Sequence, residues 1–287
     1  MSKLLDKFFP QKKYQLSNGK EIKAPRNYIL IILVLFVVAL YFSIQLTKFD
    51  LSLLMKRGNQ FFEYFASMFP MREVESIGIS LPLPEISYLN KIWNPLFDTI
   101  KMSVLGSLIG SLLAIPFAIL AASNIITNKF ILSITRLFLG LVRTLPTLVV
   151  ALIATYLVGL GTLAGTIAIA VFTFAYIGKL LYEQIETVEM GSYEAMQALG
   201  STKIQSFTAA ILPQILPGYI ANCLFCFEGN VRYSAILGYV GAGGLGLIIN
   251  EKIGWREYPS VGMILVALLV TVAIIEVVSH YLRRKLT

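Results

Sequence analysis

Long apolar runs separated by short polar and basic segments set the pattern of this chain. Residues 28–46 contain no charge, and a helix of that length rises far enough to cross about 30 Å of hydrocarbon. The same pattern predicts five further spans. They run from about Phe97 to Ala122, Leu141 to Leu160, Leu163 to Leu181, within Ile215 to Ile249, and Val261 to His280. The fifth is interrupted by polar and glycine-rich residues. Lysine and arginine then set the orientation: Lys3, Lys7, Lys12, Lys13, Lys20, Lys23 and Arg26 crowd a basic tail over residues 1–27, and Arg283, Arg284 and Lys285 end the chain. Both termini are predicted to be cytoplasmic, which requires an even number of crossings, and six satisfies it.

Between the spans, residues 47–96 balance acidic against basic side chains, and "FFEYFASMF" offers an aromatic face to a headgroup region, so this segment reads as an extracytoplasmic interfacial connector. The two prolines of "LPLPEIS" predict an extended entry to the second span. Residues 130–142 are apolar, yet Arg136 and Arg143 are seven apart and share one helical face, which reads as a cytoplasmic interfacial helix. Pro146 opens the third span, where its missing N–H costs little. Residues 97–287 form the predicted core, with a large cytoplasmic loop over 182–213.

Composition agrees with an all-α integral membrane protein: 56% of the 287 residues are hydrophobic, 14% are charged, and the mean hydropathy is +0.74. The net charge of +8 collects beside apolar runs, as topological anchors do, so nucleic-acid binding is set aside. The first apolar stretch is too long for a signal h-region. Cys223 and Cys226, at helical spacing in an apolar segment and without a histidine neighbour, cannot complete a zinc site. With one histidine, His280, no Ser/His/Asp arrangement can be built. No G-x-x-x-x-G-K-[S/T] occurs, so ATP has no P-loop in this chain.

The loop "EQIETVEMGSYEAMQALGSTKIQSFTAAILPQILP" suits a short helix ending at Gly200, a turn, and a second short helix ending near Pro213. Glu194, Ala195 and Gly200, followed by Leu212 and Pro213, resemble the "EAA" coupling loop of ATP-binding-cassette importer permeases. Met196 and Ala210 depart from that pattern conservatively. Such a loop presents a rigid helix to a groove in an ATPase, with small residues for close docking and glycine for the turn.

"FEGNVRYSAILGYVGAGGLG" resembles the signature of phosphonate importer permeases, and "LLAIPFAILAASN" and "LVRTLPTLV" are similar to the same family. The resemblance covers about Trp93 to Lys285. It implies the six-helix type I importer fold in the bacterial cytoplasmic membrane and a homodimer of this chain. It also implies two copies of an ATPase that binds ATP and magnesium, and an extracytoplasmic protein delivering phosphonate or a related oxyanion such as phosphite. No cofactor is expected in this chain itself. A permease for another small solute, such as methionine, is the alternative within the class. A thiol oxidoreductase built on Cys223 and Cys226 is the alternative outside it.

Glu228 and Arg232 are four apart, so on a helix they face each other and neutralise one another, which lowers the cost of keeping both from water. Two readings stand side by side: an internal structural pair, or a translocation path in which Arg232, with Asn230 near it, offers donors to an oxyanion. Gly241, Gly243, Gly244 and Gly246 spell G-x-G-x-x-G, but no βαβ unit surrounds them, so the dinucleotide reading fails. A bend in the pore helix near an outer gate, over Val240 to Leu247, is the expectation. Gly106/Gly110 and Gly161/Gly165 are expected to serve helix packing.

Overall fold

The structure is a computed structural model and describes residues 13–15, 19, 21–23, 29–74 and 79–286. The chain divides into two compact units, residues 1–62 and 63–287. In the first, a short antiparallel hairpin, β1 (Lys13–Gln15) with β2 (Glu21–Lys23), precedes α1 (Ile29–Thr47). The sequence of α1 is apolar on every face, the pattern of a helix immersed in lipid. α2 (Leu51–Met68) is amphipathic, with exposed Phe61, Phe62 and Phe65, and the boundary between the units falls within it.

The second unit is helical apart from one hairpin, β3 (Met71–Val74) with β4 (Ile79–Pro82). α3 (Leu89–Ala121) starts well before the predicted Phe97. Lys91 and Asn94 end the apolar run without ending the helix, because they point outward while Ile92 and Leu96 on the same turns are buried.

The predicted third span is corrected. Instead of one rod from Leu141 to Leu160, α4 (Lys129–Thr144) and α5 (Thr147–Val158) meet at 86°. Leu145 precedes Pro146 and takes an extended conformation (ψ 121°), because the proline ring crowds a helical residue before it. The 12 residues of α5 rise only about 18 Å, too little to cross alone. α6 (Thr162–Glu186) follows after Gly161.

The loop helix α7 (Gly191–Ala198) is where the spacing placed it, and Gly200 turns the chain at φ +90°. The second short helix does not end near Pro213. α8 (Lys203–Ser206) runs through a π turn (Phe207–Ile211) into α9 (Leu212–Leu237). Pro213 follows the π turn, in the first turn of α9, so the helical stretch passes through the proline rather than ending there. α10 (Leu245–Gly254) and α11 (Tyr258–Leu286) complete the chain.

Among the described residues, four helical stretches are long and apolar enough to cross a membrane: Ile86–Ala121, Thr162–Glu186, Lys203–Val240 and Tyr258–Leu286. The bent α4–α5 pair makes five if it crosses as one.

Small residues bring α3 and α6 together. A Cβ on Gly106 would stand 2.7 Å from Cγ2 of Ile169, and one on Gly110 would stand 2.5 Å from the Ala170 carbonyl, so only glycine admits this approach. Gly165 packs as expected, its Cα facing the Ala242 carbonyl. Gly161 serves no helix contact of that kind: a Cβ there would meet nothing within 4 Å, and the residue instead supplies φ +141° ahead of α6.

Among the described residues the core has four clusters, one of them Ala114, Ile177 and Cys226, and the other three lie at successive levels. Tyr88, Ile92, Leu96, Leu245, Ile249 and Ile264 fill one end, Met102, Ala168, Ile169, Leu237 and Ala242 the middle, and Ala118, Leu181, Ile185, Tyr193 and Ile211 the end nearest α7.

Candidate functional site

Glu228 and Arg232 lie one turn apart on an unbroken stretch of α9, so the backbone does not leave helical geometry at the charge pair; the break comes only after Leu237. The Arg232 guanidinium donates to Glu228 Oε1 and stands 3.7 Å from Glu276 of α11. Arg283, from the last turn of α11, donates to the other Glu228 oxygen at 3.3 Å. Two carboxylates and two guanidiniums thus alternate around one point, which removes most of the electrostatic cost of burying Glu228. Because Arg283 belongs to a helix end, the cluster lies within one side chain's reach of the terminus of α11.

Glu228 is only 6% exposed but Arg232 is 50% exposed. It opens on a cavity of about 370 Å³ lined by Phe172, Tyr176, Phe225, Gly229 and Tyr233, among others. A guanidinium with one edge held and another free is able to receive an anion without first breaking its ion pair.

Asn230 is placed elsewhere. It is 1% exposed, and its amide donates to the hydroxyls of Ser107 on α3 and Thr173 on α6, both at 2.8 Å. Two positions along a helix turn about 200°, so Asn230 faces away from Glu228. It is a tie between three helices and does not line the cavity.

The glycine run makes the expected bend. Gly238–Val240 tighten to a 3₁₀ turn, Gly241, Gly243 and Gly244 take φ of +80°, +81° and +71°, and α10 begins at Leu245. The bend is wedged into the protein: Gly161 N–H donates to the Gly241 carbonyl (2.9 Å), and Leu245 N–H donates to Thr99 Oγ1 (2.8 Å). Gly243 is buried against the start of α6, where a Cβ would stand 2.7 Å from the Thr162 nitrogen.

Toward the opposite end, Tyr193 and Met196 root α7 on Leu181, Ile185 and Ile211, while Glu194 and Ala195 face outward. Leu199 is 89% and Ile204 77% exposed, an apolar pair flanking Gly200 with nothing packed over it. Leu212 and Pro213 are exposed at the start of α9, and a capping box between Thr202 and Gln205 sets the start of α8.

The signal for Leu199 and Ile204 was a large apolar residue on either side of a turn glycine. Glu276 and Arg283 went unassigned in the sequence because Arg283 reads there as a topological anchor. They are seven apart on one helical face, and that spacing was the available signal.

Comparison with known proteins agrees with this architecture. The chain is 35% identical over 189 residues to the phosphate-import permease protein PhnE of Mycolicibacterium smegmatis, a match covering 66% of this chain and 36% of that one, about a third of that protein's length. It is 31% identical over 207 residues to the phosphite transport system permease protein PtxC of Stutzerimonas stutzeri, covering 72% and 75%. Its fold is similar to a chain of the MetNI methionine ABC transporter in an inward-facing conformation: TM-score 0.64, 23% identity, 71% of this chain and 99% of that one. Residues 114–287 match the binding-protein-dependent transport system inner membrane component family. With more than half its length inside that match, the chain belongs to this family of multi-pass permease subunits of bacterial ABC importers, transport proteins whose ATPase is a separate subunit.

Proposed function

We propose that this chain forms the membrane passage of an importer for a phosphorus oxyanion, phosphonate or one of its relatives, and that the cavity at Arg232 belongs to the translocation path. The observation that carries this reading is the half-exposed guanidinium of Arg232, held by Glu228 yet open to a cavity of substrate size. Guanidinium matches the oxygens of phosphate, phosphite and phosphonate alike. The named relatives, a phosphate and a phosphite permease, support that class.

Two copies of the chain face each other, each docked to an ATPase through Glu194, Ala195 and Gly200 with Leu199 and Ile204, and an extracytoplasmic binding protein delivers the solute. All six predicted spans cross, counting α1 and the bent pair, and both termini are cytoplasmic. ATP binding closes the ATPase pair and draws the two α7 helices together. The α9 helices then part at their outer ends, where the glycine bend over Gly241, Gly243 and Gly244 gates entry. Arg232 receives the anion on its free edge while Glu228 stays paired with both Arg232 and Arg283, so no charge is left unpaired during passage.

The test is uptake by proteoliposomes that hold the chain, its ATPase and its binding protein, with phosphate, phosphite, methylphosphonate and methionine as competitors. Competition by the phosphorus anions is the expected result. Competition by methionine alone would overturn the substrate class.

A further inference from the structure

A second cavity, of about 360 Å³, opens between α4 and α6, and Arg136, Gly140, Arg143, Lys179 and Tyr182 are in its wall. Its charges are unequally matched. Arg136 is held by Glu186 and by the Ala121 carbonyl (2.9 Å), with its guanidinium 5.0 Å from the Tyr182 ring. Lys179 is 3.4 Å from Glu183. Arg143 has no ion-pair partner among the described residues and is exposed, and Gly140 beside it leaves the approach open.

Three cations against two carboxylates leave one positive charge for a ligand, presented by a rigid fork and a mobile ammonium. The position is equally informative. Phe172, Tyr176 and Lys179 are four and three residues apart, so they share one face of α6, and the first two wall the Arg232 cavity. Lys179 is about 5 Å further along the axis toward α7. An anion leaving Arg232 along this face meets Lys179 and Arg143 next.

We propose that the α4–α6 cavity is a second binding station for a tetrahedral phosphorus oxyanion, between the Arg232 cavity and the α7 hook. This rests on the transport reading above for its cargo, though not for its chemistry. An anionic phospholipid headgroup offers the same oxygens, and the experiment separates the two sources.

The full chain is placed in nanodiscs of zwitterionic phosphatidylcholine, and radiolabelled inorganic phosphate is titrated by equilibrium dialysis. Arg143→Gln, at an exposed position that no fold contact needs, and the double variant Arg143→Gln/Lys179→Gln are expected to weaken binding about tenfold or more. Arg143→Lys/Lys179→Arg, which keeps both charges, is expected to restore most of it. Arg232→Gln is the independent arm. Binding lost with Arg232→Gln and unchanged in Arg143→Gln and in Arg143→Gln/Lys179→Gln overturns the second station and leaves the transport reading standing. Binding lost in the Arg143 variants but kept with Arg232→Gln upholds the station even if Arg232 has no part in transport. If the wild type binds no phosphate, native mass spectrometry of the chain taken from membranes decides. Anionic lipid retained by the wild type and lost from the double variant assigns the site to a headgroup, and equal retention overturns it.

Discussion

Arg232 and Asn230 stand two residues apart and do different work. Replacing Arg232 by Gln leaves the cavity wall intact but removes the charged fork, and uptake in the reconstituted importer is expected to fall about tenfold or more, with ATP hydrolysis persisting. An unchanged uptake rate in a folded, assembled variant would remove the residue from the path. Asn230→Ala removes the donor that ties the hydroxyls of Ser107 and Thr173 together between helices. Interhelical bonds of this kind contribute about 1 kcal/mol each, so denaturant unfolding in detergent should register a loss of about 1–2 kcal/mol. Asn230 was grouped with Arg232 in the sequence because they are neighbours in the chain; helical phase, which sets them on opposite faces, was the better guide. Cys223 and Cys226 are free thiols, Cys226 buried against Thr173. Replacing both with Ala is expected to leave uptake near normal, whereas its abolition would revive redox chemistry.

At the scale of elements, the bend after α9 joins three positive-φ glycines to close packing against α3 and α6. Gly244→Ala must accept φ near +71° and place a methyl 2.6 Å from Thr99 Oγ1. With ψ −160° this is a region essentially reserved for glycine; the conformational part alone costs about 1–3 kcal/mol, and a lowered thermal midpoint with reduced uptake is the expected outcome. The α7 hook is the opposite case, rigid in its root and bare at its tip. Leu199→Asp and Ile204→Asp change side chains that touch solvent, so the chain should fold normally yet fail to copurify with its ATPase. Copurification at the wild-type level would show that the apolar pair is not the docking surface. The helix positions of α6, α7 and α11 were legible because apolar periodicity and glycine spacing act locally. The 86° bend and the passage through Pro213 were not, because whether a proline ends or starts a helix depends on which N–H groups its surroundings already leave unbonded.

Across the second unit as a whole, the levels of the core set the parts with proposed roles along one direction: the glycine bend, the Arg232 cluster, the α4–α6 cavity, then the α7 hook. That order was invisible in the sequence, since Arg136 and Arg143 read there as one face of an interfacial helix and Arg283 as a signpost for membrane orientation, and only folding brings them against Lys179 and Glu228. Labelling single cysteines placed at Ser2, at Ser192 and near Thr287 from one side of sealed vesicles checks the proposed topology, and all three are expected to react from the cytoplasmic side. The π turn at Phe207–Ile211 has a consequence for heredity as much as for mechanics. A π turn holds one surplus residue between flanks that keep their mutual phase, like slack taken up in a cable. Excising Ala209 should therefore tighten the coil without swivelling α7 against α9, and a deletion here is expected to be tolerated where one in either flanking helix is not.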